Sequence, residues 1–171
     1  MRPASPEAPS TGETSAVLRP VSARDARIAV GCTPCPLEQL EVWEAFEASQ
    51  GHELFGRYVY ECESKPTAVL SLYRYTIGGR PFLWAKHGPV WLKEQTPERE
   101  AELRRLLIAA VRAKDPRVVF IRMHARFQAP DVHELISTIT YDRTYVIDLT
   151  PREPKAIATV QIGRASCRER V

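Results

Sequence analysis

The 171-residue chain lacks the short motifs that mark several common enzyme classes. Its eight glycines form neither the Gly-x-Gly-x-x-Gly of dinucleotide-binding proteins nor the Gly-Lys-Ser/Thr ending of a nucleoside-triphosphate loop. It also lacks Gly-x-Ser-x-Gly, the nucleophile turn of many serine hydrolases. Neither His-Glu pair, at 52–53 and 133–134, is followed by a second His at metallohydrolase spacing. No metal site is therefore predicted.

Long apolar runs and a strong charge imbalance are missing too. No stretch of 18 apolar residues occurs, so no membrane-spanning helix is expected. The N-terminus shows no secretory signal pattern, and we expect a cytoplasmic protein. A formal net charge of +3 is too small to indicate general binding to nucleic acid, and no DNA partner is expected. An apolar content of 44% is ordinary for a globular protein.

Four cysteines are present, of which Cys32 and Cys35 form Cys-Thr-Pro-Cys. A redox site would need a strand before this pair and a helix after it, and a zinc site would need a second ligand pair at set spacing. The simpler interpretation is reduced thiols near the start of a helix. The role of the two cysteines is left open at this stage.

Both ends of the chain differ in composition from its middle. Residues 1–22 are rich in Pro, Ala, Ser and Thr and are predicted to be disordered. Residues 162–171, IGRASCRERV, have no apolar period and equal the translation of a common sequencing-adapter read. We therefore expect this tail to be non-native and to have no structure tied to the core, the alternative being a genuine basic tail.

The apolar periodicity between the ends predicts an α/β fold. Residues 24–30 are expected to form a short strand or a lead-in. The remaining elements are predicted in this order: a helix at 37–51, strands at 57–63, 67–77 and 80–90, a helix at 96–114, a buried strand at 117–123, a short helix at 131–137 and a strand at 144–150. This order fits a mixed sheet with flanking helices, as in the GNAT (acyl-CoA N-acyltransferase) fold. The usual coenzyme A loop of that fold, Arg/Gln-x-x-Gly-x-Gly/Ala, is absent.

The three strands predicted at 57–63, 67–77 and 80–90 are expected to form an antiparallel meander. The segment WAKHGPVW, at 84–91, ends the third of these strands and combines a lysine, a histidine, a glycine and a proline. Lys86 and His87 could meet an anionic substrate, and Gly88 lets the backbone approach closely before Pro89. The alternative is a Gly-Pro turn with a solvated lysine. We take these four residues as candidate substrate-binding residues and identify no catalytic residue.

At this segment the sequence resembles the FemABX family of peptidoglycan bridge-forming aminoacyltransferases. Three blocks carry the resemblance, AKHGPV, VVFIRMHA and RTYVIDLTPREPKAI, at 85–90, 118–125 and 143–157. Leu92 and His124 stand where the family often has aspartates. The resemblance implies two GNAT-like halves, of which residues 23–161 would be the N-terminal one. The fold would then be incomplete and the fragment inactive alone.

The resemblance also implies a reaction. Such enzymes transfer an amino acid from aminoacyl-tRNA to a free amine on the stem peptide of a lipid-linked or nucleotide-linked peptidoglycan precursor. Neither a metal nor a cofactor takes part, and the membrane surface is met only through the substrate. Lys86, His87, Gly88 and Pro89 would lie on the substrate side. Two alternatives remain: a coenzyme A-dependent GNAT N-acetyltransferase, and a non-catalytic GNAT-like binding module.

Overall fold

The computed structural model describes residues 15–133 of the chain. The chain divides into two compact units, residues 1–132 and 133–171, and every described helix and strand belongs to the first. These elements are β1 (Ala16–Pro20), α1 (Ala23–Val30), a 3₁₀ turn (Leu37–Gln39), α2 (Glu41–Ser49), β2 (Glu53–Cys62), β3 (Lys65–Ile77), β4 (Arg80–Trp84), β5 (Val90–Trp91), α3 (Pro97–Lys114) and β6 (Ile121–Arg122). Within this part of the chain, no helix has the length and apolar character needed to cross a membrane.

The strands form one mixed sheet in the order β1-β2-β3-β4-β6. The first four strands are antiparallel neighbours, and β2, β3 and β4 form the three-stranded meander that was predicted. The strand predicted at 80–90 is shorter than expected, because β4 ends at Trp84 and Val90 belongs to β5, which pairs with another part of β3. β6 runs parallel to β4, because α3 returns the chain to the same end of the sheet. β5 pairs with the beginning of β3, whereas β4 pairs with its end. The predicted α/β class, a mixed sheet with flanking helices, is confirmed and is consistent with a GNAT-like fold.

The main core lies between the sheet and α3. Leu103, Leu107 and Val111 recur along one side of α3 and are almost fully buried against Leu70 and Leu83. This spacing places the three helical residues on one stripe, which removes their apolar surface from water. A smaller cluster packs α1 on the opposite face of the sheet.

The N-terminal part of the described chain differs from the sequence-based expectation. Residues 16–20 fall in the segment predicted to be disordered, yet they form β1 and pair with Tyr58–Cys62 of β2. The reason is the alternation of Ala16 and Leu18, which pack against the core, with exposed Val17 and Arg19. Five residues are too few for composition to reveal this pattern.

The segment expected as a short strand or lead-in at 24–30 is also different, because it lies in the helix α1. The Ser22 hydroxyl accepts a hydrogen bond from the Asp25 backbone N–H at 3.1 Å and so caps the helix. Gly31 ends it with φ of +57°, a conformation that glycine adopts without strain. The helix predicted at 37–51 is present as the 3₁₀ turn followed by α2.

The strand predicted as buried at 117–123 is shorter and more exposed than expected. Only Ile121 and Arg122 are strand residues, and the side chains of Val119 and Phe120 are exposed. β6 is the last strand of the sheet within the described range, so it has a strand neighbour on one side there. Residues 131–133 are not helical. The rest of the predicted short helix, the strand at 144–150 and the tail at 162–171 lie outside the described residues.

Candidate functional site

The candidate site lies where the parallel strands β4 and β6 end. Carboxyl ends of parallel strands are the usual place for ligands in open α/β sheets. In this sheet Lys86 and His87 follow β4, and His124 follows β6. The two chain segments are held together, since the His124 N–H donates to the Gly88 carbonyl at 2.8 Å and the Ala85 N–H donates to the Arg122 carbonyl at 2.8 Å.

Lys86 is bound by a fully buried carboxylate. Glu47 of α2 accepts hydrogen bonds from Lys86 Nζ at 2.8 Å, Trp43 Nε1 at 2.7 Å, His52 Nδ1 at 2.6 Å and the Tyr75 hydroxyl at 2.6 Å. Burial alone would raise the pKa of Glu47, but the four donors outweigh it and lower the pKa to about 2. Glu47 is therefore an anion at neutral pH although it is shielded from water.

The ammonium of Lys86 is also surrounded by aromatic rings. Its Nζ lies 5.6 Å from the ring centre of Trp43, 5.3 Å from that of Tyr75 and 4.9 Å from that of Trp84. Such contacts stabilise a cation that has lost part of its hydration shell. The structure thus places Lys86, predicted to meet an anionic substrate, in a cage where Glu47 already neutralises its charge. Its first role is to fix the end of β4.

A glutamine side chain bridges a gap in the sheet beside this cage. Ser71 of β3 pairs with β2 on one side. On its other side it has no strand partner among the described residues, because the chain between β4 and β5 does not pair with β3. Instead Gln39 Oε1 accepts the Ser71 backbone N–H at 2.7 Å, and Gln39 Nε2 donates to the Lys86 carbonyl at 2.6 Å. A Cβ on Gly88 would lie 2.8 Å from the Gln39 amide. Gly88 therefore makes room for the Gln39 side chain.

His87 stands at the tip of this turn in a constrained conformation. Its φ is +51°, a value that residues other than glycine seldom adopt and that often marks functional sites. Its Nδ1 lies 3.1 Å from Oε1 of Glu38, and its ring centre lies 5.3 Å from that of His124. About half of its side chain is exposed. His87 is thus the predicted residue that the structure leaves accessible.

A shallow depression of about 300 Å³ opens next to the histidine pair. Its lining residues are Pro89, Trp91, Gln95, His124, Ala125 and Arg126. Partial removal from water, together with His87 and Arg122, lowers the pKa of His124 below its ordinary value. A neutral imidazole can accept a proton at physiological pH, so the depression combines a base with the cationic Arg126.

Glu100, a buried residue of α3, binds two of the residues that line the depression, Gln95 and Arg126. Its carboxylate accepts hydrogen bonds from Gln95 Nε2 at 2.5 Å, Arg104 at 2.8 Å and the Arg126 backbone N–H at 3.1 Å. Sequence reasoning missed both Glu100 and Glu47. The available signal was an acidic residue on the buried side of an amphipathic helix, where a carboxylate persists only with several partners.

The N-terminus of α3 does not suit a pyrophosphate. Thr96 caps the helix by accepting the Arg99 backbone N–H at 3.3 Å, and Pro97 has no N–H to offer. Glu98 and Glu100 add negative charge to the first turn, where an anionic ligand would need positive potential. This helix start lacks the properties of a coenzyme A loop.

The cysteine pair lies after α1 and before the 3₁₀ turn. A helix rather than a strand precedes Cys32, which is exposed. Burial raises the pKa of the Cys35 thiol, whose Sγ lies 3.7 Å from the Pro36 carbonyl. A thiolate is thereby disfavoured, which argues against redox use. Over residues 15–133, no group of His, Cys, Asp and Glu is arranged to hold a metal ion.

Comparisons with known proteins add little to this geometry. No family model matches the chain. No curated protein matches it either. Among solved structures, a possible acetyltransferase from Clostridium difficile 630 is similar at 15% identity with a TM-score of 0.41, over 77% of this chain and 99% of that one. These comparisons therefore assign no specific reaction to the chain.

Proposed function

We propose that the chain belongs to an acyltransferase that moves an amino acid from aminoacyl-tRNA to a free amine of a peptidoglycan precursor stem peptide. The observation that supports this most is the pair His87 and His124, which meet at the ends of two parallel strands beside an open depression. The resemblance at 85–90 supplies the choice of donor and acceptor. A cytoplasmic location follows from that choice and forms part of the proposal.

The reaction needs little more than orientation and a base. The acceptor amine attacks the carbonyl carbon of the aminoacyl ester, a C–N bond forms and the C–O bond to the tRNA ribose breaks. The attacking amine loses a proton, which neutral His124 can accept and then pass to the ribose oxygen as it leaves as a hydroxyl. Arg126 in the same depression can bind a phosphate or carboxylate of the acceptor. Positioning of this kind contributes several orders of magnitude to such reactions.

The coenzyme A-dependent alternative finds less support in these residues. A pyrophosphate requires free N–H groups and positive potential at a helix start. The first turn of α3 instead holds Pro97, Glu98 and Glu100. Donor recognition by coenzyme A at this helix is therefore disfavoured.

The two reactions can be separated by equilibrium binding to the purified chain. We expect a uridine-diphosphate muramoyl pentapeptide to bind, and Arg126→Ala to weaken that binding about tenfold or more, as for loss of a charge-assisted contact. Arg105→Ala, on the exposed side of α3, is the matched control and should change nothing. Binding of acetyl-coenzyme A without binding of the precursor would overturn the proposal in favour of the alternative.

A further inference from the structure

The helix α2 exposes apolar residues while two of its carboxylates face the sheet. Glu47 is fully buried, and Glu44 pairs with the buried Arg57 of β2 at 2.9 Å. Val42 and Phe46, by contrast, are 63% and 46% exposed. A surface helix ordinarily buries its apolar residues and exposes its carboxylates. In α2 this arrangement is partly reversed, which leaves apolar surface in contact with water.

The cause lies in the charges on the sheet beneath α2. Arg57 of β2 and Lys86, which follows β4, both direct a cation at this helix. They bind its carboxylates Glu44 and Glu47 at 2.9 Å and 2.8 Å. Ion pairs therefore occupy part of the buried side of α2, and the apolar residues that the helical period places on the other side face outward.

The exposed apolar residues follow the spacing of a helix. Val42, Ala45 and Phe46 stand at positions i, i+3 and i+4, and all three are exposed. Leu37 and Leu40, in the turn before α2, are exposed as well. We call these five residues the α2 outer surface. Contiguous apolar residues on the surface of a protein mark sites of association more often than scattered ones do.

Acidic side chains accompany the α2 outer surface. Glu38, Glu41 and Glu44 recur at every third residue, and each is at least partly exposed. Glu41 has no ion-pair partner among residues 15–133. Between residues 28 and 56 the sequence contains five glutamates but neither lysine nor arginine, although the whole chain has a formal net charge of +3. The negative charge is therefore concentrated in this segment.

This charge determines which partner fits the surface. A second copy of the chain, joined across a two-fold axis, would place Glu38, Glu41 and Glu44 against the same carboxylates of the other molecule. An anionic membrane or a nucleic acid would be repelled for the same reason. A protein segment with lysines or arginines beside an apolar stripe matches both the carboxylates and the apolar residues.

The helical backbone of α2 determines the form of that segment. The N–H and C=O groups of a helix are bonded within it, so an extended peptide cannot add to α2 as a strand adds to a sheet edge. Contact must be made through side chains. A second helix satisfies its own backbone groups and can pack an apolar stripe against Val42 and Phe46.

We propose that the α2 outer surface docks a basic amphipathic helix of a partner protein. The apolar side of that helix covers Val42 and Phe46, and its cations pair with Glu38, Glu41 and Glu44. Docking at this surface uses none of the residues that line the depression, so it is independent of the proposed function.

The test is fluorescence anisotropy with a labelled peptide of about 18 residues, or five helical turns, that carries leucines along one side and lysines on the other. We expect this peptide to bind the unmodified chain with an affinity that falls as the salt concentration rises. A peptide of the same composition in scrambled order has no apolar side, and we expect it to bind at least about tenfold more weakly. In NMR spectra the ordered peptide should shift the backbone amide signals of residues 37–49.

Substitutions on the α2 outer surface should weaken binding of the ordered peptide. We expect a loss of about tenfold for Phe46→Ser, as for an aromatic anchor. Val42→Ser should cost about threefold to tenfold, since less apolar area is removed. Because Val42 is mostly exposed, this variant also serves should the Phe46 variant fail to fold. Glu41→Lys should weaken binding and reduce its dependence on salt.

Two matched controls lie on other elements. Ile77→Ser removes an apolar side chain that is exposed to a similar degree as Val42, and Glu63→Lys reverses an exposed carboxylate in the turn after β2. Both variants should bind the peptide like the unmodified chain.

Absence of binding, or equal affinity for the ordered and scrambled peptides, would overturn the inference. Unchanged affinity in both Val42→Ser and Phe46→Ser would do so as well, because the peptide would then bind elsewhere. Analytical ultracentrifugation tests the remaining occupant. A dimer of the unmodified chain that Val42→Ser converts to a monomer would assign the surface to a second copy and contradict the proposal.

Discussion

Lys86 Nζ lies 2.8 Å from Oε1 of the fully buried Glu47, although 39 residues separate them along the chain. The pair joins α2 to the end of β4 and so fixes the segment that carries His87. Pairs of this kind contribute little net stability when complete, but removing one partner leaves a buried charge without compensation.

Removal of the Lys86 charge should destabilise the protein strongly. We expect Lys86→Met to lower the free energy of unfolding by about 3 kcal/mol, because Glu47 remains buried without its cation. Urea denaturation followed by circular dichroism measures the change. Arg105→Met, which breaks an exposed pair with Glu102, should cost less than about 1 kcal/mol. Equal costs for the two variants would show that Glu47 is solvated.

The stability of the fold should depend on the ionisation of Glu47. Its pKa is about 2 in the folded state, against an ordinary value of 4.5, so it stabilises the fold above pH 4.5. That contribution is lost as the pH falls from about 4.5 towards 2. In thermal melts we expect Glu47→Gln to lower the melting temperature at pH 7. The difference in melting temperature between the variant and the unmodified protein should disappear as the pH falls from about 4.5 towards 2. A difference that stays constant with pH would contradict the prediction.

Gly88→Ala should destabilise the turn through Gln39. The added methyl group would meet the Gln39 amide at 2.8 Å, and we expect a cost of about 1–3 kcal/mol. The physical cause is tested by a double-mutant cycle with Gln39→Ala, in which the cost of the Gly88 substitution should fall. Additive costs in urea denaturation would show that the methyl group is opposed by something else.

His124 should titrate below the ordinary histidine pKa of 6.5, because partial burial, His87 and Arg122 all disfavour its cation. Histidine side-chain NMR as a function of pH measures this directly. We expect His87→Asn to raise the pKa of His124, since a neighbouring charge is removed, and Arg105→Gln to leave it unchanged. An unaltered His124 titration in His87→Asn would contradict the electrostatic coupling.

The sequence predicted the elements whose periodicity was long and clear. α3 was expected at 96–114 and spans Pro97–Lys114, because a cap, an early proline and an apolar stripe agree over five turns. The meander was predicted because its strands are rich in β-forming residues and are separated by clear turn signals. β1 and α1 were not, since their burial depends on packing against β2, which only the folded sheet provides.

The position of the WAKHGPVW segment at a strand end was predicted, but its contacts were not. The WAKHGPVW segment does lie at a strand end, and His87 is accessible there. The sequence could not show that Lys86 is neutralised by Glu47 or that Gly88 accommodates Gln39, because each partner comes from a distant element. Glu47 and Glu100 lie on the apolar sides of their helices, but the sequence could not show which donors would surround their carboxylates.

The side-chain amide of Gln39 also constrains the length of the loop between β4 and β5. Its two hydrogen bonds reach Ser71 and the Lys86 carbonyl, the latter 47 residues away in sequence. Inserting or deleting one residue between Ala85 and Pro89 would carry that carbonyl out of reach and leave the side-chain N–H of Gln39 without its acceptor. The loop beside the depression is thus constrained in length by a side chain outside it, whereas most surface loops tolerate such changes. Related chains that keep this glutamine should keep the spacing between β4 and β5 as well.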